Sequence, residues 1–125
     1  LPVLTKQPTI RQLVMYAGAS GDFYEIHYDL DFAKARGLNE VIVHGALKSA
    51  FLGQLLTDWI GEEGDLVRLA VQYRGMDKRD NALYCTGTVT GKHTSGNRYL
   101  VDLDLWIENE FGNRTTHGSA TLALT

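Results

Sequence analysis

The sequence predicts an α+β fold in which an antiparallel sheet wraps around one long apolar helix. Two observations carry this prediction. Between Gly45 and Ile60, the residues Ala46, Leu47, Ala50, Phe51, Leu52, Leu55, Leu56, Trp59 and Ile60 cover most of a helix circumference. A helix that is apolar nearly all round is a buried one. From Asp65 onward the apolar period changes to two, and short turns separate the successive runs. That is the signature of an antiparallel meander, and a buried helix followed by a meander suggests a sheet curled around the helix.

The elements follow in order. Leu1 to Lys6 reads as a short edge strand that Pro8 ends. Thr9 is placed as an N-cap, Ile10, Leu13, Val14 and Ala17 follow at helical spacing, and Gly18 or Gly21 stops that helix. Residues 20 to 28 are expected to form a loop. Asp29 or Asp31 caps a short second helix that Gly37 ends, and Val41 to Val43 is a brief extended run. The long apolar helix comes next, closed by Gly61 and Gly64. Val67, Leu69, Val71 and Tyr73 then alternate with Arg68, Ala70, Gln72 and Arg74, and a turn spans Gly75 to Asn81. Leu83 to Thr90 is a second strand of the meander, followed by a turn from Gly91 to Asn97. Tyr99, Val101, Leu103, Leu105 and Ile107 form one face of a third. After a turn at Asn109 to Asn113, Gly118 to Leu124 is the last strand.

At 125 residues the chain is expected to be a single domain, residues 1–125, large enough to bury a core without staples. Its composition, 44% hydrophobic and 22% charged, is that of an ordinary globular protein. A net charge of -3 gives no electrostatic footprint for nucleic acid or an anionic membrane surface. Cys85 is the one cysteine, so no internal disulfide forms, which fits a reducing compartment. No apolar run reaches the length of a membrane span. The chain starts at Leu1 rather than Met, so a few preceding residues are expected. What is present lacks the charged and apolar regions of a signal peptide, and the expected location is cytoplasmic.

The chemistry concentrates in Tyr16-Ala-Gly-Ala-Ser-Gly-Asp22-Phe-Tyr-Glu-Ile-His27-Tyr-Asp29, which places a carboxylate and an imidazole five residues apart, just after a short helix. Downstream, His44-Gly45 opens the long helix. An acid–base pair and a helix N-terminus are the parts needed to add or remove water across a double bond next to a carbonyl. Each residue also has a plainer reading. Asp22 can brace a turn after Gly21. His27 alone reads as a structural hydrogen-bonder. Asp29 reads as a helix cap rather than an acid catalyst, and His44 as a loop hydrogen-bonder beside the helix start.

That order of elements, with Tyr16-Ala-x-x-Ser-Gly-Asp-x-x-x-Ile-His-x-Asp and Val43-His-Gly45, resembles the MaoC-like hydratases, the (R)-specific enoyl-CoA hydratases and dehydratases of the hot-dog fold. The resemblance runs from the first strand to the Gly-x-Ala-x-Leu run at Gly118 to Leu122, and is nearest to the short, single hot-dog members. It implies a hot-dog dimer with an acyl-thioester tunnel near the subunit interface, and some such members work as mixed-subunit pairs. It also implies that Asp22 and His27 are the catalytic pair and that the Gly45 N–H meets the thioester oxygen. The family's loop usually reads Asp-Phe-Asn-Pro-Ile-His. Here Tyr24 and Glu25 replace the Asn and Pro, which removes a fixed torsion from the loop that sets the Asp–His distance. Gly53 stands where the family often has a serine on the central helix.

The implied reaction is reversible syn hydration of a trans-2-enoyl thioester to the (R)-3-hydroxyacyl thioester. Asp22 is the general base or shares the water with His27, and no cofactor is expected beyond the coenzyme A of the substrate. Lys48 sits in the first turn of the long helix, where a cation opposes the helix dipole. It either snorkels to solvent or meets a ligand carboxylate, Glu25 or another acid. Lys48 and Ser49 are the further substrate-binding candidates beside Gly45. Glu25 is either a solvated carboxylate or a charge that raises the proton affinity of its neighbours. Arg68, Arg74, Lys78, Arg79 and Lys92 are candidates for the coenzyme A phosphates, with solvated strand and turn charges as the plainer reading. Acyl carrier protein is the other carrier considered. Three further functions stay in view: an acyl-thioester-binding subunit of a heteromeric hydratase; a thioesterase, for which the helix offers only Asp58; and a metal site from Asp22, Glu25, His27 and Asp29, which lacks any recurring ligand spacing. A small sheet with free edges and a shared site favours a homodimer or larger assembly.

Overall fold

The computed structural model describes all 125 residues. It contains β1 (Leu4–Lys6), α1 (Ile10–Ser20), α2 (Leu30–Ala35), α3 (Gly45–Ile60), β2 (Gly64–Tyr73), β3 (Leu83–Ser95), β4 (Arg98–Asn109) and β5 (Arg114–Leu124), with single 3₁₀ turns at Glu25–His27 and Gly61–Glu63. The five strands form one antiparallel sheet in the order β1-β3-β4-β5-β2. The sheet lies over α3, the hot-dog arrangement that the sequence predicts. No helix is long and apolar enough to cross a membrane.

Local signals account for the helix ends. Thr9 accepts the Gln12 N–H as N-cap of α1, and Gly21, at φ 77°, ends it in the left-handed conformation that glycine tolerates best. Asp29 caps α2 by accepting from the Phe32 N–H, as a structural residue. The core joins the inner face of α3 (Leu47, Phe51, Leu52, Leu55, Leu56) to alternate sheet positions such as Leu103, Leu105, Ile107 and Leu122. Leu52 and Leu56 are fully buried, and each such side chain contributes about 1.5–3 kcal/mol. Cys85 lies in the same core, where burial pushes its thiol up to about 12.

Four details differ from the sequence pattern. α3 is not covered all round: Ala46, Ala50, Gln54 and Trp59 face outward, so its apolar positions overstate its burial within the chain. In β2 a register shift between Leu66 and Arg68 makes Val67 a bulge residue. Leu66 therefore faces the core beside Leu69 and Val71, and Val67 is exposed. β3 runs on to Ser95 through a second shift between Val89 and Gly91, where the composition suggested a turn. β5 begins at Arg114 rather than Gly118: Thr116, polar but buried, pairs with Ile107 and Tyr73, and the buried Thr115 is the unpaired residue of a register shift before Arg114 pairs with Glu108.

The run Val41–Val43 positions the site. Ile42 N–H donates to the Ile26 carbonyl at 3.1 Å, Val43 N–H to the Asp77 carbonyl at 2.8 Å, and Arg79 N–H to the Val41 carbonyl at 3.2 Å. This short segment therefore ties the Asp22–His27 loop on one side to the β2–β3 loop on the other, immediately before α3 begins.

Candidate active site

Asp22 follows the glycine that ends α1. Its N–H bonds to Ser20 Oγ at 3.2 Å, and its Oδ1 accepts the Tyr24 N–H at 3.3 Å. The turn-bracing role is thus real, but it uses only one carboxylate oxygen. The other, Oδ2, faces His27 Nε2 at 3.8 Å. The His27 side chain is nearly buried at 8% exposure, while that of Asp22 remains open at 46%. His27 Nδ1 lies 2.8 Å from the Ile42 carbonyl. A carbonyl only accepts, so Nδ1 carries the proton and Nε2 presents its lone pair toward Asp22.

Tyr24 and Glu25 keep this loop in shape without the proline. Tyr24 sits at φ -62°, ψ 123°, and its ring packs edge-on to His27 and Phe32. Glu25 heads the 3₁₀ turn, where its N–H has no acceptor within the turn. Its side chain is exposed, and the turn is closed by Tyr28 and Asp29 N–H groups donating to the Glu25 carbonyl at 3.2 and 2.8 Å. The solvated reading of Glu25 is the one this geometry favours. Tyr24 already has the extended torsions a residue before proline requires. Glu25→Pro is therefore expected to raise stability by about 0.4–1 kcal/mol and to leave the pH–rate profile unchanged. Urea melts and a pH series of the variant check both.

Gly45 is the first residue of α3. Its N–H is one of those that a helix start leaves without an intrahelical acceptor, and the helix dipole adds partial positive charge there. The first helical bond is Lys48 N–H to the His44 carbonyl at 3.2 Å. A side chain at position 45 would press its Cβ within 3.0–3.3 Å of the Tyr73 ring, so glycine lets that ring lie across the helix start. The Tyr73 hydroxyl is 2.6 Å from Ser49 Oγ. The sequence reading brought Ser49 to the site but missed Tyr73, whose inward strand phase was its only signal.

Lys48 does not snorkel. It is 2% exposed, and its Nζ donates at 3.1 Å to both Asp77 Oδ2 and the Gly75 carbonyl. Asp77, 3% exposed, also accepts from the Thr115 hydroxyl at 2.5 Å. The ammonium is thus held by an internal acid, which answers its place at the positive end of a helix. Of the arginine candidates for phosphates, Arg79 pairs with Glu40 at 3.0 Å, and Arg68 and Arg74 bond Ser119 and Gln72 on the sheet's outer face.

His44, the N-cap of α3, is fully buried and stacks on His27 with ring centroids 3.9 Å apart and planes 21° apart. Burial first, and then the neighbouring His27, lower its pKa from the ordinary 6.5. The unfolded chain therefore takes up a proton that the folded chain resists. The stability tied to the neutral ring is complete above pH 6.5 and is lost as pH falls from 6.5 through the lowered value. Melting temperature is expected to drop on acidification in that window, and less steeply in His44→Phe.

Asp22, His27 and His44 place potential metal-ligand atoms within 4.8 Å of one another. These three residues are the group of carboxylate and imidazole ligand atoms that the fold brings together here. Glu25 and Asp29 do not join it.

Comparison with known proteins agrees with this architecture. The model of the family described as "MaoC like domain" matches residues 3–110. The chain is 35% identical over 107 residues to the fatty acid synthase subunit beta of Gibberella zeae, covering 80% of this chain but only 5% of that protein. It is 27% identical over 108 residues to the 3-oxo-4,17-pregnadiene-20-carboxyl-CoA hydratase beta subunit of Mycobacterium tuberculosis, covering 83% of this chain and 78% of the relative. The solved (R)-hydratase from A. caviae involved in PHA biosynthesis superposes with a TM-score of 0.90 at 21% identity, over 99% of this chain and 93% of that one.

Proposed function

The chain belongs to the MaoC-like domain family, and from that premise we propose that it hydrates trans-2-enoyl thioesters to (R)-3-hydroxyacyl thioesters, or runs the reverse dehydration. The observation that carries this reading is the Asp22 Oδ2–His27 Nε2 pair at 3.8 Å. That spacing is too long for a hydrogen bond but suits one water about 2.8 Å from each atom.

In the proposed reaction, Asp22 and His27 hold a single water against C3 of the enoyl group. The water oxygen bonds to C3 as its proton passes to the pair, the C2=C3 electrons shift toward the thioester carbonyl, and a proton returns to C2. Both new bonds form on the face where the pair lies, so addition is syn. The negative charge on the carbonyl oxygen between these steps is met by the Gly45 N–H. Loss of a comparable donor costs about 2.7–4 kcal/mol of transition-state stabilisation. Every step uses this chain's side chains, one main-chain N–H and water.

Coenzyme A is the carrier we favour, since the M. tuberculosis relative is named for a CoA thioester; acyl carrier protein is the other. β2 is the long edge strand of the sheet, with one side unpaired, and we propose that a second hot-dog chain pairs there. The same relative is named a beta subunit, which supports a reading in which the second chain is a different polypeptide. Hydration in D₂O, with the product's configuration read at C2 and C3 by NMR, tests the proposal. A syn-deuterated (R)-3-hydroxy product is expected, and an (S) or anti product would overturn it.

A further inference from the structure

We infer that His44 is a positioning residue of the acid–base pair, locking the His27 ring and the Asp22 main chain to the start of α3. The inference rests on the hydratase reading of the site. Three contacts carry it. The His44 ring stacks on His27 at 3.9 Å and 21°. Its Nε2 lies 3.3 Å from the Asp22 carbonyl, which only accepts, so Nε2–H donates. The Tyr16 ring meets it edge-on at 4.9 Å. Residue 44 is also the N-cap of α3, so its Cα is bonded through one peptide to the Gly45 N–H. A single side chain thus touches both members of the pair and is fixed to the group that faces the thioester oxygen.

Packing alone does not explain a histidine here. The ring is 0% exposed, and its Nδ1 has no hydrogen-bond partner. An unpaired buried nitrogen is a cost that a phenyl ring of similar shape would avoid. What the imidazole adds over phenyl is the Nε2–H bond to Asp22. What it adds over a flexible amide is a flat face that fixes the plane of His27. Its depressed proton affinity, from burial and from His27, keeps it neutral, so it does not compete for the proton that His27 must carry. The Asp22 carbonyl it holds lies in the residue whose Oδ2 faces His27, so loss of either contact changes the distance on which the shared water depends.

Two variants separate the contacts. His44→Phe keeps the stack and removes the N–H, and His44→Asn keeps an N–H donor and removes the stack. Each is expected to lower kcat by about 10–100-fold, the scale of a 1 Å misplacement. KM should stay within about threefold, because substrate contacts are untouched. The folded fraction is checked by circular dichroism, so that a loss of stability is not counted as a loss of rate. A second readout is independent of turnover. The His27 Nδ1–H proton, bonded to the Ile42 carbonyl, is expected as a protected ring N–H signal in the wild type, and it should exchange faster in His44→Asn. Wild-type turnover with both variants at near wild-type kcat would overturn the inference. If the wild type turns over no enoyl thioester, alone or with a second hot-dog chain, the hydratase reading fails, and an unchanged His27 signal in His44→Asn would then overturn the positioning role as well.

Discussion

Asp22→Asn is expected to lower turnover of a 2-enoyl thioester by about 10²–10⁴-fold, the range for loss of a general base. That corresponds to about 2.7–5.5 kcal/mol of barrier. The substitution is a clean one. Asn retains the Oδ1 that accepts the Tyr24 N–H and loses only the anionic oxygen facing His27. Because the side chain is about half exposed, stability should change by no more than about 0.5 kcal/mol. A large rate loss with an unchanged melting temperature is the expected combination. His27→Asn should fall in the same range, and the double variant should be little worse than the more severe single one, because both groups act on one water. Additive losses would mean that the two residues act on separate steps.

Asp77→Ala should have the largest effect on stability. It leaves the Lys48 ammonium buried with only the Gly75 carbonyl and frees the Thr115 hydroxyl as well. Breaking one half of a buried pair costs about 3–5 kcal/mol, a large part of the roughly 5–15 kcal/mol available to a domain. The loss would fall on the site, since the Asp77 main chain holds Val43 just before α3. Urea unfolding of Asp77→Ala and of the double variant Lys48→Met/Asp77→Leu checks the argument. The double variant should be the more stable of the two, because no charge is left buried alone.

What the sequence revealed was local. The Asp22–His27 spacing, the caps at Thr9 and Asp29 and the start of α3 depend on residues within a few positions of each other, and each appears where the residue types place it. What it hid was set by contacts across the fold. Ser49 meets Tyr73 and Lys48 meets Asp77 only because β2 and its following loop return over the helix start. The Val67 bulge is invisible in a pattern where Leu66, Val67, Leu69 and Val71 are all apolar. His44 reads from the sequence as an ordinary loop histidine. Its stacking on His27 arises from the Val41–Val43 run, which hydrogen-bonds the Ile26 carbonyl and so lays one imidazole over the other. Glu25 is the converse case. The missing proline suggested an altered loop, but Tyr24 carries the extended torsions that a residue before proline takes.

The most direct test of the central claim is the loss of enoyl-thioester absorbance when the purified chain meets crotonyl-CoA and a longer trans-2-enoyl-CoA. Turnover by the wild type on at least one of them is expected, lowered about 10²–10⁴-fold by Asp22→Asn. Turnover that survives Asp22→Asn undiminished, or a wild type inactive on both substrates alone and with any second hot-dog chain, would contradict it.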